Sequence, residues 1–173
     1  MISLVRPDTR FKKAYLEMLE AWEVAFEDPE PWVLREDATD FSSLVDLLNG
    51  YAEGKNIPVG YHASMTYWVY DDERDTLIGA VSIRPELNVF QAKYGGNIGY
   101  GVRPDERGKG FAKEILAQAL SKSRELGLSK ILLCCYRDNK ASERVILHNG
   151  GVLESEVQSE ETGRVIRRYW ITV

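Results

Sequence analysis

The sequence predicts an α/β fold: a mixed, mostly antiparallel sheet with one parallel βαβ crossover and helices on both faces. Three observations predict it. Lys130-Ile131-Leu132-Leu133-Cys134-Cys135 is a continuous apolar run, as expected of a central strand covered on both sides. Before it stands an amphipathic helix with apolar residues at Phe111, Ala112, Ile115, Leu116, Ala119 and Leu120, a 3.6-residue period. That helix follows a strand, Asn97 to Val102, through a glycine-bearing turn, and strand–helix–strand favours a right-handed crossover. At 173 residues the chain is most economically one domain, 1–173, able to bury a core without staples.

In order, Ile2 to Val5 is a short strand. Pro7-Asp8-Thr9 opens a helix running to about Phe26, with Tyr15, Leu16, Leu19, Trp22 and Phe26 as its apolar stripe. Glu27-Asp28-Pro29-Glu30-Pro31 is a loop, because the residue before each proline is pushed out of the α region. Phe41, Leu44, Val45, Leu47, Leu48 and Tyr51 mark a second helix that stops near Gly54. Met65 to Tyr70 and Leu77 to Ile83 form a hairpin around the charged turn Asp71 to Asp75. Pro85 to Gly95 is a longer connection. The long helix ends at Leu126-Gly127, with glycine placed for a left-handed cap. Asn139 opens a further helix to about Asn149, and Val152 to Val157 and Val165 to Val173 finish the chain as strands.

Composition excludes several classes. The chain has 44% hydrophobic and 28% charged residues, the balance of an ordinary globular protein. No run approaches transmembrane length and Met1 to Pro7 lacks an apolar leader, so the expectation is no membrane partner and a cytoplasmic location. A net charge of -5 argues against nucleic acid as the main partner. Acids crowd the stretch from Glu20 to Asp46, with Arg35 their one basic neighbour, while basic residues dominate from Arg103 to Arg144. That asymmetry suits a protein holding a polyanionic cofactor against a cationic partner, and it equally suits two solvated faces. Cys134 and Cys135 sit inside an apolar strand and read as small buried hydrophobes. His62 and His148 have no neighbouring ligand pattern, so no metal site is read.

Gly108 and Gly110 lie at the start of the long helix, where helix propensity disfavours them. An anion resting on the helix mouth offsets that cost, since orphan N–H groups and the helix dipole present positive charge there. Without Cβ atoms the glycines admit a phosphate oxygen to the main chain. Neither a Walker A loop nor a dinucleotide fingerprint is present.

The string Arg107-Gly108-Lys109-Gly110-Phe111-Ala112 resembles R/Q-x-x-G-x-G/A, the acyl-CoA pyrophosphate loop of the GNAT N-acetyltransferase superfamily, in its strand–turn–helix setting. Asn139-Lys140-Ala141-Ser142 with Gly150-Gly151 resembles that family's second motif. Element order matches from about Met65 to Val173, and the finer strings look like an uncharacterised bacterial acetyltransferase branch. The resemblance implies a GNAT-type acyl-CoA-binding domain and acetyl-CoA as co-substrate. It implies that the main chain of Arg107, Gly108, Lys109, Gly110, Phe111 and Ala112 holds the pyrophosphate, with charge from Arg107 and Lys109. Tyr100, Gly101 and Val102 would pair with the pantetheine arm and leave an N–H facing the thioester carbonyl. Asn139 and Ser142 would face the same arm; Asn139 also suits a plain helix N-cap, and the two roles are compatible.

The implied reaction is direct attack of an amine on the acetyl thioester. The strand position where the family commonly carries a glutamate base is occupied near Asn97, which takes no proton, and the position of the usual tyrosine acid is Ile146. Deprotonating a lysine-like amine at neutral pH costs about 4 to 5 kcal/mol, against about 1 to 1.5 for an α-amine. A weakly basic amine, on a small molecule or a peptide N-terminus, is therefore the easier acceptor. A water relay is left to handle the protons, so the candidate catalytic residues are Tyr100, Asn97 and Tyr136, with Tyr169 as a further proton partner. The competing readings are a non-catalytic acyl-CoA sensor and an interaction domain that keeps only the fold. A homodimer is left open.

Overall fold

The computed structural model describes residues 1–173. The elements are β1 (Ile2–Val5), α1 (Lys12–Val24), α2 (Phe41–Ala52), β2 (Met65–Asp71), β3 (Thr76–Ile83), β4 (Ile98–Val102), α3 (Phe111–Glu125), β5 (Lys130–Tyr136), α4 (Lys140–His148), β6 (Val152–Gln158) and β7 (Val165–Thr172). A mixed α/β architecture with helices on both faces is therefore present as expected. One helical stripe differs. Residues Ala14, Tyr15, Met18 and Trp22 are buried, whereas α1 stops at Val24 and Phe26 turns into a left-handed conformation, 97% exposed. The acidic, proline-rich segment that follows cannot continue the helix, so the last member of the expected stripe never reaches the core.

The strands fall into two sheets, β1-β2-β3-β4 and β5-β7-β6, with every neighbouring pair antiparallel. The α3 crossover carries the chain from one sheet to the other. β4 and β5 touch at one end only, through the Gly96↔Leu133 bridge. There Asn97 donates its main-chain N–H to Leu132 (2.7 Å), accepts the Leu132 N–H on Oδ1 (2.8 Å) and donates Nδ2 to the Arg84 carbonyl (2.9 Å). Beyond that clasp no ladder joins the two strands, and they part like the arms of a V.

Two cores lie on opposite faces. Under α1 and α2, Tyr15, Phe41 and Trp68 pack ring against ring with centroids 4.8 to 5.8 Å apart, and Leu44, Leu48 and Leu77 close around them. Under α3 and α4, Ile115, Leu116 and Ala119 meet Val81, Ile98, Leu133 and Ile146. β5 is covered on both faces as its apolar run predicts, with Ile131, Leu133 and Cys135 facing α3 and Leu132 buried on the other side; it is an edge strand of its sheet rather than a central one, and with β4 splayed away it forms no parallel pair. Cys135 is buried and Cys134 half-buried, both free thiols; burial pushes them up to about 11 and about 12, so neither is a thiolate at neutral pH.

Candidate active site

The V between β4 and β5 opens into a cavity of about 1110 Å³, walled by Tyr100, Gly101 and Val102 of β4, the turn into α3, the first turns of α4, and Glu27 and Glu30 of the α1–α2 loop. Both helices begin at this cavity. Two N-terminal dipole ends thus converge on one space, the arrangement that favours an anion.

The start of α3 carries no side-chain cap. Gly110 occupies its N-cap with φ 89°, and Gly108 has φ 79°. These values are the left-handed region, where an L side chain costs about 1 kcal/mol or more. A Cβ at either position would meet nothing within 4 Å. The glycines are therefore required by the turn's curvature, and the space they face is free for a ligand. The N–H groups that open α3 find no protein acceptor from a capping side chain, so they remain for one.

β4 presents its free edge to the same space. Arg103 donates its N–H to Ile78 (2.8 Å), and the β3–β4 register is unbroken from Gly79↔Val102 to Ile83↔Ile98. Antiparallel alternation then turns Gly99 and Gly101 inward to β3 and aims the main-chain groups of Tyr100 and Val102 outward. The Val102 carbonyl accepts Arg107 Nε at 3.1 Å, as an outward carbonyl should. Gly101's amide is thus committed to the sheet. Its lack of a side chain serves another purpose: a Cβ there would lie 2.0 Å from the Glu30 carbonyl oxygen and 3.1 Å from Glu30 Cβ. The Glu30–Pro31 segment crosses β4 at Gly101, and that crossing delivers Glu30 to the cavity.

The side chains named from the sequence divide into three groups. Tyr100, Gly101, Val102, Arg107, Gly108, Gly110, Phe111, Ala112, Asn139 and Ser142 all line the cavity. The Tyr100 and Ser142 hydroxyls share a hydrogen bond of 3.2 Å, and burial pushes the phenol up to about 12. Asn139 is the α4 N-cap, its Oδ1 accepting the Ser142 N–H at 3.1 Å.

Arg107 and Lys109 form the second group. Arg107 pairs with Glu27 at 2.8 Å and Lys109 with Glu106 at 2.9 Å. Their charge is already matched, and the cavity's cations without a carboxylate partner are Lys113, one residue past the motif, and Arg144 on α4. Most of the basic stretch is neutralised in the same way, by Asp105 for Arg103, Glu125 for Lys122 and Glu143 for Lys140.

Asn97 and Tyr136 form the third group, and here the catalytic expectation is corrected. Asn97 is 6% exposed and spends both side-chain atoms clasping β3 to β5. Tyr136 is absent from the cavity wall, its ring covered by the Arg164 guanidinium at 3.5 Å. Tyr169 likewise points elsewhere, donating its hydroxyl to Glu143 at 2.7 Å. Glu143 also meets Lys140 and Arg167, and these donors hold its carboxyl down to about 2.

Glu30 is the residue that sequence reasoning missed. Its carboxylate, on a side chain 58% exposed, accepts Arg35 Nη2 at 2.6 Å; partial desolvation against the cavity wall raises it from its ordinary value, with Arg35 opposing and Asp28 adding to the shift. The only signal was its place between two prolines in the acid-rich stretch.

Residues 5–152 match a family model described as an acetyltransferase (GNAT) domain. No curated protein sequence matches the chain. Among solved structures the chain is similar to the microcin C7 self-immunity acetyltransferase MccE in complex with acetyl-CoA and AMP, at 18% identity and TM-score 0.67, covering 99% of this chain and 92% of that one. It is also similar to a mutant spermidine/spermine N-acetyltransferase SpeG from Vibrio cholerae, at 20% identity and TM-score 0.65, covering 99% and 95%. A third is an acetyltransferase from Salmonella typhimurium that modifies the N-terminal serine of ribosomal protein L7/L12, at 17% identity and TM-score 0.68, covering 99% and 95%.

Proposed function

The chain belongs to the GNAT acetyltransferase family, and from that premise we propose that its cavity binds acetyl-CoA and passes the acetyl group directly to an amine of a small molecule or of a peptide N-terminus. The whole chain, 1–173, serves as one acyl-CoA-binding domain. The observation that carries the reading is the meeting of two features in one cavity: the uncapped glycine mouth of α3 and the free edge of β4. A diphosphate fits the first and an amide-bearing arm fits the second.

Acetyl-CoA supplies the acyl group as a thioester already activated toward amines. Main-chain N–H groups from Gly108 to Ala112, with Lys113 and Arg144, would hold its diphosphate. The outward groups of Tyr100 and Val102 would pair with the pantetheine amides and offer a donor to the oxyanion, an interaction whose loss costs about 2.7–4 kcal/mol in enzymes that depend on one. Tyr100, protonated at neutral pH and hydrogen-bonded to Ser142, is suited to give a proton to the departing sulfur. It is unsuited to act as a base for the same reason.

The acceptor class fits the chemistry of the cavity's α1–α2 loop wall, where Glu30 keeps an oxygen free to receive a cation. Two of the similar structures, one acting on spermidine or spermine and one on an N-terminal serine, bracket the choice between a small amine and a peptide end. Calorimetry with acetyl-CoA, followed by thiol release across a panel of amines and short peptides, tests the proposal. Binding plus thiol release supports it. Binding with no turnover on any amine favours an acyl-CoA sensor, and no binding at high micromolar cofactor ends both readings.

A further inference from the structure

The geometry points to Glu30 as the carboxylate that receives the acceptor's ammonium group and takes its proton, resting on the acetyltransferase reading above and supplying the base that β4 lacks. Four observations lead to it. First, the expected base position is empty of function: Asn97 is closed into the β4–β5 clasp. Second, all three of the cavity's carboxylates are ion-paired, but only Glu30 keeps an oxygen free. Glu27 meets Arg107 with both oxygens, at 3.0 and 2.8 Å, and Glu106 holds Arg74 on one oxygen and Lys109 on the other, at 2.8 and 2.9 Å. Third, Glu30 is fixed in place by the main chain. Its carbonyl and Cβ lie directly on Gly101, and Glu30 lines the same cavity as Tyr100 and Val102, whose outward edge is where the thioester carbonyl is expected. Fourth, a neighbouring cation steers it without quenching it: Arg35 Nη2 reaches one oxygen at 2.6 Å, Arg35 Nε holds the Pro29 carbonyl at 3.0 Å, and Glu30 Oε2 is left without a hydrogen-bonded partner.

The charged and titratable groups around Glu30 are Arg35, Asp28 and Glu27 on its own loop, Arg107 of the α3 turn paired with Glu27, and the Tyr100 phenol on β4. Partial desolvation outweighs Arg35, so the carboxyl sits above its ordinary value, which moves it toward the range where a base is effective. In the reaction, Glu30 removes one proton from R–NH3⁺ and passes it to solvent. The amine lone pair forms the N–C bond, the C–S bond breaks, and the sulfur takes the Tyr100 proton. One of the two protons still on nitrogen returns the phenol to its starting state through water, and the other stays on the amide. One ammonium and one thioester thus give one amide, one thiol and one released proton.

The test pairs Glu30→Gln, which keeps a hydrogen bond for Arg35, with two amines: a basic one (spermidine or a serine-led tetrapeptide, whichever the wild type accepts) and hydroxylamine, which is already unprotonated at neutral pH. The expected result is a fall in kcat/KM with the basic amine of about 10²–10⁴-fold. The fall should shrink at alkaline pH and nearly vanish with hydroxylamine, while acetyl-CoA affinity by calorimetry stays unchanged. Equal losses with both amines, or none, overturn the assignment and leave Glu30 as the Arg35 clasp. Arg35→Gln gives a second reading: removing the cation raises the Glu30 carboxyl further, so the acid limb of the kcat/KM profile should move to higher pH. An unmoved limb also overturns it. Failure of the wild type to bind acetyl-CoA would count against the acetyltransferase reading itself, whereas normal binding with a fully active Glu30→Gln counts against Glu30 alone.

Discussion

Gly101→Ala puts the site's construction under the most revealing strain. Gly101 does not adopt a left-handed conformation, so alanine fits its backbone, and the whole effect comes from one contact. The new Cβ would lie 2.0 Å from the Glu30 carbonyl oxygen and 2.6 Å from its carbonyl carbon. Ordinary contact begins near 3.4 Å, so the α1–α2 loop must lift by more than about 1 Å, as overpacking demands. Both atoms are main chain, which cannot swing aside as a side chain can. The expected stability loss is about 1–3 kcal/mol, and a displacement of this size at a reacting group lowers turnover by about 10²-fold. Acetyl-CoA binding should change little, because the 108–112 amides lie on another wall. Gly99→Ala is the control: on the same strand and face, its Cβ would meet Pro31 Cβ at 3.3 Å and Arg84 at 3.5 Å, contacts that small shifts absorb. Denaturant unfolding, calorimetry and thiol release on both variants decide the matter. A Gly101→Ala protein with wild-type turnover would refute the claim that the loop's seat on β4 sets the acceptor side of the site.

The remaining predictions concern the frame around the cavity. Asn97→Leu should destabilise the fold by about 2–5 kcal/mol, since it strands the buried Leu132 N–H and the Arg84 carbonyl; activity per folded molecule should survive, and a catalytic loss at full stability would reinstate Asn97 in the chemistry. Glu143 has its carboxyl held down to about 2, so its contribution to stability is present above the unfolded value of about 4.3 and is lost as pH falls toward 2. The melting-temperature gap between wild type and Glu143→Gln should therefore be open at pH 7 and close across that acid window; a gap independent of pH contradicts the assignment. Cys134 and Cys135, at about 12 and about 11, are neutral thiols at pH 8 and should resist iodoacetamide until the protein unfolds. Fast alkylation of the native protein would show a thiolate that the structure does not contain.

What could be read in advance was whatever depends on local physics. Gly108 and Gly110 marked the mouth of a helix, the 3.6-residue period gave α3, and the apolar run gave β5, because each signal lies within a few residues. Partners brought together by folding could not be read. Arg107 looked like free charge because Glu27, its partner, lies 80 residues away. Asn97 looked like a group standing in a base's place because strand position alone does not reveal that Leu132 and Arg84 take both ends of its amide. Gly101 was read only for its main chain and Glu30 not at all, and only the crossing of loop over strand shows why a residue without Cβ stands there. The apolar stripe of α1 failed at Phe26 for a related reason: periodicity extends a helix until something stops it, and here the stop came from the segment after it.

A structure of the protein with acetyl-CoA reaches the centre of the account most directly. It should show the diphosphate within about 2.7–3.2 Å of main-chain nitrogens between Gly108 and Ala112, with the thioester lying along the outward edge of Tyr100 and Val102. A diphosphate bound elsewhere, or a vacant α3 mouth in crystals grown with excess cofactor, would contradict it.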